Sequence, residues 1–452
     1  WHCKPTIKKR RYGMTKISIL PEDNPTNGWS AILPPRPITA SLKGAQKADW
    51  VVIGAGYAGL AAARRLAENR PKDKIILLEA HEVGEGASGR NSGFAIDLPH
   101  NVSSSLQELE GAHRFIRLSR AAINYLKDAV RDGDIKCDWS ARGKYHAAVA
   151  PSGYKKTLVP FAKELDVLGE KYRWLDRDTL NAEIGTRHFH SALYTAGGYL
   201  LNPAALTRGL ADNLPENVSL YEHTPVTAAN FSGGVELSTP EGRVSAPTAI
   251  LTVNGFATQF GFYKRALLTF ASYASLTRPL SAAERKAMGG VDNWGLTPVN
   301  AISGVTMRLT QDRRILIRQR FRYAPSFRRP QAEAAQSRAD HQRLFIKRFP
   351  MLPDVTMEHT WIGYVCMSRN HAPGFGRIAP RVLSAVCQNA VGVTKGTISG
   401  LLVADLACGI ENPLIKDMTS LGTPERLPLR PFLDLGVRAN LALEMWRGRK
   451  EK

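Results

Sequence analysis

The sequence has 452 residues, 43% of them hydrophobic and 22% charged, with a formal net charge of +21. Such a length exceeds one ordinary core and predicts two domains, in series or interleaved. No run of eighteen apolar residues occurs, so no membrane-spanning helix is expected, and the basic N-terminus lacks the apolar core of a secretory signal.

The five cysteines (Cys3, Cys137, Cys366, Cys387 and Cys408) are scattered and form no CxxC pair. They point to a reducing, cytoplasmic setting and away from a disulfide frame or a metal site. The positive charge fits either a generally solvated surface or a specific anionic partner. Basic residues are spread along the chain without a compact arm, and no nucleic-acid motif accompanies them.

In chain order, the first methionine is Met14, and residues 1–13 read as an upstream extension. They hold Lys4, Lys8, Lys9, Arg10 and Arg11, hence 5 of the net positive charges. Residues 1–45, rich in proline and polar side chains, predict an extended lead-in. From Ala48, "ADWVVIGAGYAGLAAARRLAENRPKDKIILLEA" reads as a strand over 51–53, a glycine turn, a helix over 60–67 and a strand over 75–78 that ends at Glu79. Residues 104–131 carry Leu106, Leu109, Phe115, Ile116, Ile123, Leu126 and Val130 at helical spacings. Short strands and helices mix over 135–200. A helix follows Pro203, then come a strand near 219–221, a hairpin, and an apolar strand over 249–253 that ends at Asn254-Gly255. Residues 263–355 are strand-rich and close on a helix near 332–349. From Arg381 the pattern is again strand, glycine turn, helix. The tail predicts an amphipathic helix over 433–447.

Gly54-Ala55-Gly56-Tyr57-Ala58-Gly59 is a GxGxxG that follows a strand and opens a helix, with Glu79 ending the next strand. Gly54 permits the tight turn, Gly56 the approach of a pyrophosphate to the helix N-terminus, and Gly59 close helix–strand packing. Glu79 suits a ribose hydroxyl. The unit predicts a dinucleotide but does not choose between NAD and FAD. "GEGASGRNSGF" at 84–94 begins five residues after Glu79. Its glycines suit a loop beneath a long dinucleotide, the alternative being a plain linker.

Together, "VVIGAGYAGLAAARRLAE", "LLEAHEVGEGASGRNSGF" and "GVTKGTISGLLVADL" resemble the FAD-dependent oxidoreductases of the D-amino-acid oxidase superfamily, with glycine and sarcosine oxidases as relatives. "GASGRNSG", "NGWSAILPPRP" and "RPFLDLGVRANLALEMWRG" are similar to the gamma-glutamylputrescine oxidase branch. The resemblance runs over residues 27–447. It implies an α/β fold in which a glutathione-reductase-like FAD-binding Rossmann domain is interleaved with a mostly antiparallel-sheet substrate domain. The implied order is the lead-in 1–45, FAD segments 46–134, 191–262 and 359–452 (the last with the C-terminal helix), and substrate segments 135–190 and 263–358.

The resemblance also implies cofactor contacts. Beside Gly54, Gly56, Tyr57, Ala58, Gly59, Glu79 and Ala80, it brings Gly86, Ala87, Ser88, Arg90, Asn91 and Ser92 to the FAD. Val226 would face the adenine, and Asn254 and Gly255 the pyrophosphate. The helix start Gly392, Val393, Thr394, Lys395 and Gly396 would point at the flavin, where a helix N-terminus favours the negative charge of the reduced ring. Two departures bear on chemistry. Many relatives carry Gly-His-Gly where this chain has Ala390-Val391-Gly392, which argues against a histidine-dependent step. Gly363, not Cys366, matches the cysteine that some sarcosine oxidases link to flavin. Non-covalent FAD is therefore expected, with Cys366 as a small buried residue.

For catalysis, "RRILIRQRFRYAP" read as a strand puts Leu316, Arg318, Arg320 and Arg322 on one face, and Ile315, Ile317, Gln319, Phe321 and Tyr323 on the other. The arginine face suits a carboxylate clamp or the wet side of a sheet. Arg318 is the nearest match to a lysine that assists oxygen in sarcosine oxidases. Tyr273 is a site residue or a packed aromatic. Trp361 and Tyr364 are an aromatic wall or core. Lys395 stabilises reduced flavin or reaches solvent, and His371 is structural. The implied reaction is hydride removal from the carbon bearing a neutral amine, followed by imine hydrolysis, with oxygen as acceptor and peroxide as product. Two alternatives stand beside it. One is a dehydrogenase that passes electrons to a quinone or partner from an anionic membrane. The other is a flavin-binding subunit that associates with polyanions.

Overall fold

A computed structural model of the chain describes residues 13–22, 26–99, 106–330 and 332–452. Residues 1–12 of the expected extension, with Cys3, and residues 104 and 105 of the expected helix lie outside the described residues.

Six strands form one sheet in the order Val218–Tyr221, Ile75–Leu78, Trp50–Ile53, Thr248–Leu251, Val382–Val386, Gly374–Ala379. All pairings are parallel except the last. The central strands are apolar on both faces because layers cover both, and every residue of Ile75–Leu78 is buried. The fingerprint helix is Tyr57–Asn69, which begins three residues earlier than the apolar pattern implies because Gly56 is its N-cap. Helix Thr397–Cys408 packs across it through small residues. A Cβ on Gly59 would sit 1.7 Å from the carbonyl oxygen of Gly54, and one on Gly400 2.1 Å from that of Ala58. Backbone therefore rests directly on backbone at both places.

The second large sheet has eight strands: Met357–Met367, Leu268–Thr277, Ile315–Tyr323, Thr306–Leu309, Trp294–Pro298, Lys144–Ala148, Ser191–Thr195 and Arg173–Leu175. Only the pairing of Trp294–Pro298 with Lys144–Ala148 is parallel. Helix Ala332–Arg348 covers one face. Phe94–Ala95 pairs with Tyr199–Leu200 as a small ribbon.

The lead-in is more ordered than its composition implies. Thr15–Lys16 and Gly44–Lys47 are the two edge strands of a five-stranded sheet. Gly28–Ala31 is a short helix capped by Asn27. Trp29 and Leu42 are each 1% exposed, so this segment folds by burying its few large apolar side chains. Arg36 and Thr39 close on the buried Glu222, at 2.7 Å and through the Thr39 N–H at 2.8 Å. Among the described residues no single helix is long and apolar enough to cross a membrane.

The backbone contact at Gly400 gives a stability test. Alanine is the better helix former by about 1 kcal/mol, but its methyl group would meet an immovable carbonyl. Gly400→Ala is expected to lower stability by about 1–3 kcal/mol, read as a lower melting temperature. A rise would show that the two helices can separate freely.

Candidate functional site

A cavity of about 440 Å³ runs from the C-terminal ends of the parallel strands to the eight-stranded sheet. At the nucleotide end, Gly54 has φ +100°, a conformation open to glycine, and its N–H donates to Leu78 O at 2.7 Å. Gly56, Gly86 and Val391 cap the helices that start at Tyr57, Ala87 and Gly392 without a side-chain hydrogen bond. Elsewhere Asp176, Asn202, Ser281 and Asn412 cap helices with their side chains. Gly56, Gly86 and Gly392 all line the cavity, so first-turn N–H groups, apart from that of Tyr57, are left for an anionic ligand. The Glu79 carboxylate receives the Ala55 N–H at 2.8 Å and the His81 N–H at 3.2 Å. Burial pushes its pKa up, against those hydrogen bonds.

The glycine loop is not a linker. Ser88 Oγ accepts the Tyr57 N–H at 3.0 Å, joining the loop to the fingerprint helix. Asn27 Nδ2 donates to the carbonyls of Gly84 (3.0 Å) and Gly89 (3.3 Å), and Trp29 Nε1 to that of Asn91 (2.8 Å). The lead-in thus fixes the loop, and its Ile17, Ile19, Leu20 and Pro21 also line the cavity.

Of the residues singled out above, Gly54, Gly56, Tyr57, Ala58, Glu79, Ala80, Gly86, Ala87, Ser88, Arg90, Asn91, Ser92, Val226, Asn254, Gly255, Gly392, Val393, Gly396 and Arg318 line this one cavity. Gly59, Thr394, Lys395, Tyr273, Arg320 and Trp361 do not. Gly59 acts in helix packing, and Thr394 Oγ1 donates to Ile96 O at 3.1 Å. Lys395 neither faces the cavity nor reaches solvent: it is 6% exposed, with Nζ 3.4 Å from His371 O. Trp361 is fully buried, donates from Nε1 to Arg90 O at 3.0 Å and packs edge-on against Trp29. It supports the loop and forms no aromatic wall, whereas Tyr364 does line the cavity.

The arginine strand corrects a further expectation. Its pairing with Leu268–Thr277 matches Arg318 to Ala274, Gln319 to Tyr273 and Phe321 to Ser272, leaving Arg320 as an extra residue. Arg320 is a β-bulge with φ +84°. An extra residue reverses the alternation beyond it. Arg318 and Phe321 consequently face the cavity beside Ala274 and Ser272. Arg320 turns the other way, to Asp340 at 2.9 Å and over the Tyr273 ring. The Tyr273 hydroxyl donates to Glu333, and burial pushes its pKa up to about 12. Arg318 therefore does not share a face with Arg320.

Sequence reasoning missed several lining residues, among them His146, Ser272, Thr297, Phe321, Gln388 and Asn389. They carry no local motif and meet only through sheet register. His146 Nε2, Ser272 Oγ and Gln388 Nε2 are buried atoms without a hydrogen-bond partner among the described residues. Each such atom costs about 1–3 kcal/mol unless a ligand or water fills it, so the wall offers polar atoms to whatever occupies the cavity. Burial, then the Lys144 charge, pushes the His146 pKa down to about 3, and the ring is neutral near pH 7. Arg318 keeps its charge: burial lowers its pKa only to about 10. Its guanidinium donates to Thr306 Oγ1 (2.8 Å) and Ala301 O (3.3 Å). Among the described residues no carboxylate pairs with it.

A family model described as FAD dependent oxidoreductase matches residues 49–406. The chain is 27% identical over 389 residues to a probable oxidoreductase, OrdL, of Haemophilus influenzae, covering 82% of this chain and 85% of that protein. It is 25% identical over 374 residues to gamma-glutamylputrescine oxidoreductase of Escherichia coli, covering 80% and 84%. Among solved structures, glycine oxidase from Geobacillus kaustophilus superposes with a TM-score of 0.69 at 19% identity, over 81% of this chain and 96% of that one. L-proline dehydrogenase from P. horikoshii gives 0.67 at 16%, over 85% and 98%. The fold is thus that of an FAD-binding Rossmann domain joined to a second, mostly antiparallel sheet.

Two predictions arise from these contacts. Asn27→Ala removes the donor to two loop carbonyls and is expected to weaken FAD binding about tenfold, measured by flavin titration of the apoprotein. Unchanged affinity would mean that the loop keeps its shape unaided. Lys395 is buried, and its folded pKa falls from 10.5 to about 8. The folded state releases the proton first, so the penalty is full below pH 8 and fades as pH rises to 10.5. Lys395→Met is expected to stabilise by about 1–3 kcal/mol at pH 7, with the gain shrinking across that window. A gain independent of pH would assign the effect to packing.

Proposed function

The chain belongs to the FAD-dependent oxidoreductase family, and from that premise we propose that it oxidises the carbon–nitrogen bond of an amino acid, or of another amine that carries a carboxylate, with oxygen as acceptor. The observation that supports this reading is Arg318: a half-buried cation on the cavity wall that no carboxylate among the described residues neutralises. A ligand carboxylate completes such a site through paired charge-assisted hydrogen bonds.

The lining fits FAD along its length. Gly54, Gly56, Gly86 and Ser88 suit the pyrophosphate, Glu79 a ribose, and Val226 the adenine. The start of the Gly392–Gly396 segment, with Gly363 and Arg90, suits the flavin. Bound FAD supplies the electron acceptor for the hydride leaving the substrate carbon. The protein's part is to place and desolvate the substrate. Arg318 holds the carboxylate, Phe321 packs beside it, and neutral His146 offers Nε2 to a polar group. Arg318 also disfavours a second positive charge nearby, which keeps the amine in its reactive neutral form. The FAD is held without a covalent bond. The contact with Cys387 and then burial push the Cys366 thiol pKa up, away from a reactive thiolate.

The test starts from the visible spectrum of the purified protein, repeated on the supernatant after acid precipitation. Flavin bands that leave with the supernatant are expected; flavin in the pellet would overturn the non-covalent reading. An anaerobic screen then pairs amino acids with their decarboxylated amines. The acids are expected to bleach the flavin, and Arg318→Met to raise their KM about 10–100-fold without a like effect on the amines. Equal bleaching by the amines would remove Arg318 as the anchor. Reoxidation that is slow in air but fast with a soluble quinone would replace oxygen as acceptor.

A further inference from the structure

The tail helix Phe432–Arg447 contains no buried residue. Its half-buried positions, Leu433, Asp434, Val437, Leu441 and Glu444, follow one helical face and rest on the protein. The opposite face, at i, i+3, i+7, i+11 and i+14, is Phe432, Leu435, Ala439, Leu443 and Trp446. Phe432 is 75% exposed, Leu435 70% and Trp446 61%, and Leu429 just before the helix is 61% exposed. The helix thus turns its more apolar side to solvent, the reverse of an ordinary surface helix.

Charge identifies what would cover it. The helix's acidic residues are occupied: Asp434 accepts from the Tyr323 hydroxyl at 2.8 Å and meets Arg430 at 3.4 Å, and Glu444 meets Arg447 at 2.9 Å. Glu451 is buried and accepts the Val149 N–H at 2.7 Å. Arg438, Arg449 and Lys450 border the stripe with no ion pair among the described residues. Arg449 lies over the Trp446 ring, 4.5 Å from its centre. A second copy meeting this stripe by a two-fold axis would set these cations against their own kind. An anionic lipid surface neutralises them and accepts the aromatic and leucine side chains together.

We propose that the outward stripe of Phe432–Arg447 docks the protein on an anionic lipid bilayer as a helix lying in the interface. The helix is too short to span a bilayer, at about 24 Å. Both of its ends are tied to the substrate end of the cavity. Tyr323 terminates the strand that carries Arg318 and Phe321. Ser303 Oγ donates to Gly448 O at 2.8 Å, on the loop whose Val299 and Ala301 line the cavity. Docking would hold that end of the site beside the lipid.

The test uses the full-length FAD-loaded protein, sedimented with vesicles of phosphatidylcholine alone or mixed with phosphatidylglycerol. Binding to the anionic vesicles only, weakened by salt, is expected. The triple variant Phe432→Ser, Leu435→Ser, Trp446→Ser is expected to lower the bound fraction at least about tenfold, and Arg438→Glu several-fold. Both should leave the flavin spectrum and turnover in solution unchanged. Absence of vesicle binding overturns the proposal, as does equal binding to neutral vesicles. A dimer in sedimentation equilibrium that the triple variant dissociates would also overturn it, assigning the stripe to a second copy.

Discussion

The arrangement of the site depends on one buried cation, Arg90. Its side chain is 3% exposed, which costs several kcal/mol unless each donor is satisfied. Nε reaches Glu85 O at 2.6 Å, Nη1 reaches Thr26 O at 3.2 Å and Ile362 O at 3.1 Å, and Nη2 reaches the Glu85 carboxylate at 3.2 Å. Those acceptors belong to the lead-in, the glycine loop and a strand of the eight-stranded sheet. The planar five-donor fork of arginine joins three segments in a way that lysine cannot. Trp361 and Trp29 complete the junction by donating to the carbonyls of Arg90 and Asn91.

From that junction, register carries order to the far end of the cavity. Ile362 lies opposite Tyr273 on the neighbouring strand, and Tyr273 lies opposite Gln319 on the next. The bulge falls immediately after Gln319. Its left-handed residue is an arginine held by Asp340, so the backbone departs from ideal pleating where a side chain on another element secures it. The consequence is local and large: Arg318 keeps the cavity face, Phe321 joins it, and Arg320 leaves it.

This explains which parts are legible in the sequence. The GxGxxG, Glu79 and the strands around them can be read because each requirement is met within about thirty residues, by glycine where backbone meets backbone and by a carboxylate at a strand end. The loop at 84–94 is legible as a loop. Its anchoring by Asn27 and Trp29 is not, since those bonds cross more than fifty residues. The end of the cavity at the eight-stranded sheet is least legible. Strict alternation assigns Arg318, Arg320 and Arg322 to one face, and only the partner strand reveals the extra residue. His146, Ser272 and Gln388 come from three separate segments and share nothing except the space between them. Lys395 misleads for a related reason: it stands in the first turn of a helix whose Gly392, Val393 and Gly396 line the cavity, but its side chain points into the core beside Cys387.

The turn before that helix shows how a geometry can persist after its usual residues are gone. Where the resemblance leads one to expect Gly-His-Gly, residues 387–391 of this chain hold no glycine, yet Cys387, Asn389 and Ala390 all adopt positive φ, at 60°, 52° and 66°. Such conformations cost non-glycine residues about 1–2 kcal/mol each. The Asn389 side chain offsets that cost. Its Oδ1 accepts the Ser368 N–H at 2.8 Å, and its Nδ2 donates to His371 O at 2.9 Å, Ala372 O at 3.2 Å and Cys387 O at 3.1 Å. Glycine would reach the same backbone path by permissiveness; here a buried amide imposes it. An imposed turn is the stiffer of the two, and it delivers Gly392 and the uncapped helix start behind it to the cavity wall in one position. The missing histidine therefore removes a side chain from the site and leaves the scaffold that aims the helix in place.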